Sequence, residues 1–244
     1  MKKIRNAIVI GATSGIGRKV AELLANDVIG KVGITGRRLE RLEELKSEKP
    51  NKYIVKSFDI TDLQTTVEQL QEFVVEMETV DLILLCSGIG KVNHELDFDI
   101  EQKTIMTNVL GFTNIIDWSF NFFDKQGYGH LAAISSIASL RGNRYAPSYF
   151  ASKAYNKSYL EAMRGKANKT KSKIKITDIR PGFVDTDLIK DEGNYIFFVS
   201  PLNKAARQIY KAIRCQKKVV YVTRRWYLAA FIMKIAPKFI YDRI

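Results

Sequence analysis

Cysteine and histidine are nearly absent, with two of each among 244 residues. Cys86 and Cys215 lie too far apart to suggest a disulfide framework or a ligand set, and His94 and His130 belong to no ligand pattern. No metal site is therefore expected, and a reducing, cytoplasmic setting fits. Proline is also sparse, at five residues, and no Pro/Gly/Ser-rich tract, charge block or internal repeat interrupts the chain. Without a linker, residues 1–244 read as one domain. No apolar run approaches the roughly 20 residues that span a bilayer. The basic start, Met1-Lys-Lys-Ile-Arg-Asn, precedes an apolar stretch that is short and ends at a glycine turn, so it reads as a first strand and not as a leader.

What remains is ordinary for a water-soluble α/β protein: 46% hydrophobic and 27% charged residues, in a chain long enough for a large buried core. Short β-branched runs alternate with segments of helical period. Strands are expected at 4–10, 31–35, 53–58, 82–86, 130–135, 175–179 and 218–222, and helices from near Gly15, Arg38, Asp62, Asp99, Ser148 and Pro201. This alternation implies a seven-stranded parallel sheet with helices on both faces. Trp118, Phe120, Phe122 and Phe123 fall on a further long helix after Asn108, where core or subunit packing accounts for them.

Two clusters carry chemistry. Directly after the first strand comes Gly11-Ala-Thr13-Ser14-Gly15-Ile16-Gly17, followed by a helical pattern. A strand, a glycine turn and a helix together form a phosphate cradle: Gly11 permits a tight turn, and Gly15 and Gly17 let backbone approach a pyrophosphate at the helix's positive end. The second cluster is Tyr149-Phe-Ala-Ser-Lys153, with Ser136 upstream. A phenol, with a pKa of about 10, is a poor proton donor or acceptor near neutrality. A lysine four residues on, one helical turn along the same face, favours the phenolate and brings it nearer working pH. Ser136 offers a hydroxyl to hold a carbonyl beside that phenol. The set can move a proton to or from a carbonyl or alcohol oxygen, and it needs a hydride partner.

These residues resemble the short-chain dehydrogenase/reductase family in its short, single-domain branch. Gly11-x-x-x-Gly15-x-Gly17, Asn108-x-x-Gly111, Ile134-Ser-Ser136, Tyr149-x-x-x-Lys153 and Pro181-Gly182-Phe-Val184-Asp-Thr186 match its motifs in order. The resemblance covers the first 200 residues well and the last 44 loosely. It implies a doubly wound, Rossmann-type fold and a nicotinamide cofactor. It also implies Tyr149 as the acid/base, Lys153 as its activator and ribose ligand, and Ser136 as the group orienting the carbonyl. Asn108 would hold a water that relays protons to the lysine. Asp59 and Ile60 would meet the adenine, Gly88 would pass close to the cofactor, and residues 179–186 would line the nicotinamide and phosphate. The family's usual Asn-Asn-Ala-Gly is here Leu85-Cys86-Ser87-Gly88, and Ile10 replaces a common threonine; neither change removes a proton-handling group.

After the second strand the chain reads Gly36-Arg37-Arg38. An acid there suits NAD, whereas arginine suits the 2′-phosphate of NADP. Arg37, Arg38 and a contribution from Arg18 therefore favour NADP(H) over NAD(H), with a solvated helix start as the alternative for the arginine pair. The resemblance also implies a homodimer or homotetramer packed through helices around Asn108 and Tyr149.

The end of the chain is different in kind. Residues 201–244 hold eleven basic residues and a single acid, Asp242, a surplus of +10 in a chain of net +13. Residues 226–233 are apolar throughout, between Arg225 and Lys234, and Pro237 should break or bend a helix there. The tail, 223–244, has three readings: an interfacial helix on a membrane surface, a cover over the substrate cleft, or a subunit contact. Residues 187–200, with Leu188, Tyr195, Phe197 and Phe198, resemble the family's substrate loop and suit an apolar or fatty-acyl carbonyl, unless those aromatics simply close the core. The leading expectation is an oxidoreductase interconverting a ketone or aldehyde with an alcohol. A non-catalytic NADP sensor or scaffold is the alternative, opposed by the intact proton-handling set. Nucleic-acid binding is not expected, because the basic residues are interleaved with bulky apolar ones and no recognition motif accompanies them.

Overall fold

Seven short segments, of which β1, β4 and β7 are nearly all valine, isoleucine and leucine, pair in parallel into one sheet: β1 (Ala7–Ile10), β2 (Val32–Gly36), β3 (Tyr53–Ser57), β4 (Leu82–Leu85), β5 (Tyr128–Ile134), β6 (Lys173–Pro181) and β7 (Val219–Val222). The computed structural model describes residues 3–189 and 198–235. Strand order is β3-β2-β1-β4-β5-β6-β7. The chain winds outward from β1 to β3, then crosses to β4 on the other side of β1. The carboxyl ends of β1 and β4 therefore diverge into a crevice, the place where open α/β sheets bind ligands.

Strand parity divides the core. Ala7 and Val9 of β1, with Leu82 and Leu84 of β4, face a cluster built with α1 (Gly15–Asp27), α2 (Leu39–Glu48) and α7 (Leu202–Arg214). Ile8, Ile10, Ile83 and Leu85 face the opposite cluster, built with α3 (Leu63–Met77), α5 (Phe112–Gln126) and α6 (Pro147–Ala167). Alternate residues point to opposite faces of a strand, so a strand covered on both sides, such as β1 or β4, is apolar at successive positions. This is why such strands read as continuous runs.

The expected strands are all present, with displaced ends. β1 starts at Ala7, not residue 4, because the Arg5 and Asn6 amides donate to the Asp81 carboxylate and the Asn6 side chain bonds Met77, Thr79 and Lys31. Asp62 caps α3 by accepting from the Thr65 amide, placing the helix one residue beyond the expected start. Pro147 occupies the first turn of α6, where its missing N–H costs nothing. Between α4 (Phe98–Ile105) and α5, residues Met106–Gly111 form a wide π-turn that helical periodicity does not reveal. The remaining element, α8 (Arg224–Ile235), comes after β7. Of the expected substrate loop, Tyr195 and Phe197 lie outside the described residues, as do 236–244 of the tail.

Candidate active site

The crevice begins at the glycine turn. Gly11 and Gly15 adopt φ of +91° and +54°, values that L side chains rarely tolerate. A Cβ on Gly17 would land on the Gly11 carbonyl and touch Cys86, so its bare Cα is what lets α1 pack onto the turn. Ser14 is the N-cap of α1, yet its side chain caps no amide, because its hydroxyl accepts from Arg38 at 2.8 Å. No acidic residue occupies the first turn. The amides and positive end of α1 are thus left for an anion. Ile16 packs partly into the core, and the Thr186 methyl lies 3.3 Å from where a Gly15 Cβ would be, which brings the 181–186 segment against the turn.

The arginines are distributed otherwise than expected. Arg38 reaches the turn, donating to both the Thr13 and Ser14 hydroxyls at 2.8 Å. Arg37 is exposed and pairs with Asp59 at 3.4 Å. Arg18 is withdrawn, held by Glu44 and Glu48 at 3.1 Å and by Glu22 at 3.7 Å, so its expected contribution to a phosphate pocket is corrected to an α1–α2 tie. Gly36 abuts Thr13: a Cβ would sit 2.6 Å from its methyl, so an acid at 36 has no room without displacing the loop. Asp59 also accepts from the Thr61 amide, shaping the turn after β3, and Ile60 is buried beside it.

On the other bank, the segments around β4 to β6 and α6 carry the residues expected to handle protons. Asn108 lies on the π-turn, buried, with Oδ1 accepting from the Ile89 amide at 2.9 Å and Nδ2 donating to the Ile89 carbonyl at 2.7 Å and Ser152 Oγ at 3.1 Å. Its side chain is committed to the protein, so a water relay would have to use its carbonyl instead. That carbonyl accepts from Asn156 at 2.8 Å in the amide orientation that satisfies both groups. Gly111, the motif's other member, leaves room for the Ile60 carbonyl, 2.7 Å from a hypothetical Cβ.

Lys153 is buried beneath this turn, its Nζ 3.4 Å from the Ile134 carbonyl and 5.7 Å from the centre of the Tyr149 ring. A Cβ on Gly88 would be 3.1 Å from that nitrogen and 3.3 Å from Asn108 Oδ1, so the three positions meet. Burial lowers the Lys153 ammonium to about 8, against the support of Cys86 and Asp178. Burial also pushes the Cys86 thiol up to about 12, which keeps it protonated. Gly90 admits the Tyr149 ring, which would lie 2.6 Å from a Cβ at that position. Ser136, at the end of β5, accepts from the Ala138 amide at 3.0 Å and faces the Pro181 carbonyl at 3.4 Å.

Two expected cofactor residues, Gly182 and Val184, also carry packing contacts. A Cβ on Gly182 would fall on the Trp226 indole of α8, so that glycine makes room for the final helix. Val184 is buried in the core and bridges to Ser200. A network not anticipated from the sequence lies behind Ser136. The fully buried Asp178 accepts from the Ser135 hydroxyl and from Arg180 Nε at 2.7 Å, while Arg180 also donates to Tyr221 Oη at 2.9 Å. Thr177-Asp178-Ile179-Arg180 held the clue: an acid and a base two apart in an apolar strand share a face and can neutralise each other there.

The model of the short chain dehydrogenase family matches residues 5–195. The chain belongs to this family. It is 28% identical to an uncharacterized oxidoreductase of Myxococcus xanthus over 245 aligned positions, covering 98% of this chain and 95% of that one. It is also 28% identical to a Haemophilus influenzae protein described as a probable NADP-dependent dehydrogenase, covering 74% of this chain and 71% of that one. Its fold superimposes with a TM-score of 0.83, at 16% identity, on a Burkholderia phymatum short-chain dehydrogenase/reductase in complex with NAD, covering 94% and 92% of the two chains. As a member of the short-chain dehydrogenase/reductase family, the chain has an oxidoreductase fold with the family's Rossmann-type crevice between β1 and β4.

Proposed function

We propose that this protein is an NADP(H)-dependent oxidoreductase that interconverts a ketone or aldehyde with an alcohol. What supports this is Tyr149 with the buried Lys153 amine 5.7 Å from its ring on α6, Ser136 capping the Ile137–Leu140 turn that packs against α6, and an uncapped helix N-terminus at α1. The crevice suits a dinucleotide: the glycine turn and α1 would hold the pyrophosphate, and Lys153 the nicotinamide ribose. Such a cofactor supplies or accepts a hydride when bound. In the reductive direction, the Ser136 hydroxyl donates to the substrate oxygen and orients it. Tyr149 gives its proton to that oxygen as charge develops there, and the Lys153 ammonium stabilises the phenolate that results. In the other direction the phenolate takes the alcohol's proton.

Arg38 and Gly36 support NADP(H) over NAD(H), as does the name of the Haemophilus relative. An arginine beside Thr13 and Ser14 meets a 2′-phosphate, and the absence of a side chain at 36 removes the acid that would repel it. Replacing Arg38 by Ala should weaken NADPH binding about 10- to 100-fold, the range for one charged hydrogen-bonding partner, and leave NADH binding nearly unchanged. Fluorescence titration with both cofactors checks this; equal losses would assign Arg38 to the turn's stability. Leu140, Leu188 and Phe198, on the segments after Ser136 and Thr186, favour an apolar carbonyl or acyl substrate. Exposed Phe98, Ile105 and Leu110 on and beside α4–α5 are consistent with a homodimer or homotetramer. The direct test is NADPH consumption against ketones, aldehydes and 3-oxoacyl thioesters. A purified, folded protein that neither binds NADPH nor reduces any of them would overturn the proposal.

A further inference from the structure

Helix α8 is apolar on two faces, and only one of them is used by the fold. Trp226 and Ala230 are buried, 2% and 1% exposed, and with Ala229 and Met233 they pack against Ile137, Leu140, Phe183 and Tyr221. Gly182 makes room for Trp226, and Arg141 Nε donates to the Met233 carbonyl at 2.9 Å. The helix is therefore firmly seated. Its outer face carries Tyr227, Leu228, Phe231, Ile232 and Ile235, each between 54% and 67% exposed. The spacing, i, i+1, i+4, i+5 and i+8, makes one stripe. Phe198, also exposed and edge-on to Trp226 at 6.3 Å, extends the apolar surface toward the segment flanking the expected substrate loop. A contiguous surface of this kind marks an interaction site.

We propose that this face docks on an anionic lipid surface, with α8 lying in the plane of the membrane. The helix has 12 residues, and among the described residues none is long and apolar enough to cross a bilayer. Charge selects the occupant. Helix α8 itself carries Arg224, Arg225 and Lys234 and no acidic residue. A second copy packed face to face would bring two such basic segments together, which is unfavourable, whereas anionic headgroups complement them. Interfacial helices hold by apolar burial plus this attraction. Each basic residue near the surface adds about fivefold to affinity. Tyr227 at the edge of the stripe suits headgroup depth.

The location has a functional consequence that rests on the oxidoreductase proposal. The inner face of α8 packs on Ile137 and Leu140, directly after Ser136, and on Phe183, directly after Gly182. Docking therefore sets the lipid beside the substrate side of the crevice, and an apolar carbonyl compound would reach it from the leaflet.

Co-sedimentation of the full chain with phosphatidylcholine vesicles, with and without phosphatidylglycerol, tests the docking. The protein should bind the mixed vesicles, bind neutral ones more weakly, and lose affinity as salt rises. The double variant Phe231→Glu, Ile232→Glu should bind on the order of a hundredfold more weakly, about tenfold per side chain. Because both residues face outward, its melting temperature and NADPH affinity should match wild type. Tyr149→Phe should bind vesicles normally, so loss of catalysis and loss of docking are separable. Failure to bind mixed vesicles, or binding indifferent to the double variant, would overturn the proposal. So would a dimer that the double variant converts to monomer without either form binding vesicles, since α8 would then be covered by a second copy.

Discussion

Tyr149→Phe should lower turnover by about a hundredfold to ten-thousandfold while leaving NADPH affinity within about twofold of wild type. The ring's packing survives, including the close pass over Gly90 and the edge contact with Phe150. What disappears is the phenolic hydroxyl of a ring whose centre lies 5.7 Å from the buried Lys153 amine, and with it the proton that we propose the substrate oxygen gains or loses. Steady-state rates combined with cofactor titration separate the two effects. Near-normal turnover would move the acid/base role to another group. A large loss of NADPH binding would make the phenol a cofactor anchor.

Lys153→Met should abolish most activity and, at neutral pH, make the protein more stable. The ammonium is buried and its pKa falls from 10.5 to about 8. Below pH 8 the amine is protonated in folded and unfolded chains alike, so the full cost of burying its charge is present. Between about 8 and 10.5 the unfolded chain keeps a proton that the folded one releases, and wild-type stability rises with pH; above 10.5 the cost is gone. A shift of this size corresponds to about 3 kcal/mol, of which the lost contact with the Ile134 carbonyl offsets about 1 kcal/mol. Methionine fills the same volume without charge. Urea unfolding should therefore show the variant ahead by about 2 kcal/mol at pH 7, the gap closing toward pH 10.5. A variant equally destabilised at both values would mean that Asp178 and the surrounding carbonyls already compensate the charge. Such a cost, retained at the site proposed for proton transfer, is the pattern expected of a stability–activity compromise.

Much of this was legible in the chain. The seven strands could be found because short apolar, β-branched stretches alternate with segments of helical period, and the glycine turn because its spacing follows a strand and precedes a helix. Tyr149 and Lys153 could be paired because four residues are one helical turn. Ser136 is a different matter: it could be named as a candidate hydroxyl upstream, but the turn it caps packs on α6 only through the tertiary fold.

What could not be read is what depends on contacts between distant segments. Arg18, Arg37 and Arg38 are alike as letters; glutamates 26 to 30 residues beyond Arg18 took it out of the pocket, and Thr13 and Ser14 brought Arg38 in. Gly182, read as a cofactor residue, also leaves room for the Trp226 indole 44 positions later, which the sequence did not reveal. Asn156 and Ser152 were missed because polar residues on a helix carry no signal of being turned inward. The periodicity of hydrophobic residues and the chirality of the chain were enough to determine the strands, the helices and the phosphate turn, since each of these is decided by neighbours within a few residues. Which arginine meets the turn, where the Asn108 side chain spends its hydrogen bonds, and which face of α8 is left to solvent were decided by tertiary structure. Those outcomes depend on partners that only packing brings within a few ångströms, where charge and hydrogen-bond energies change most steeply with distance.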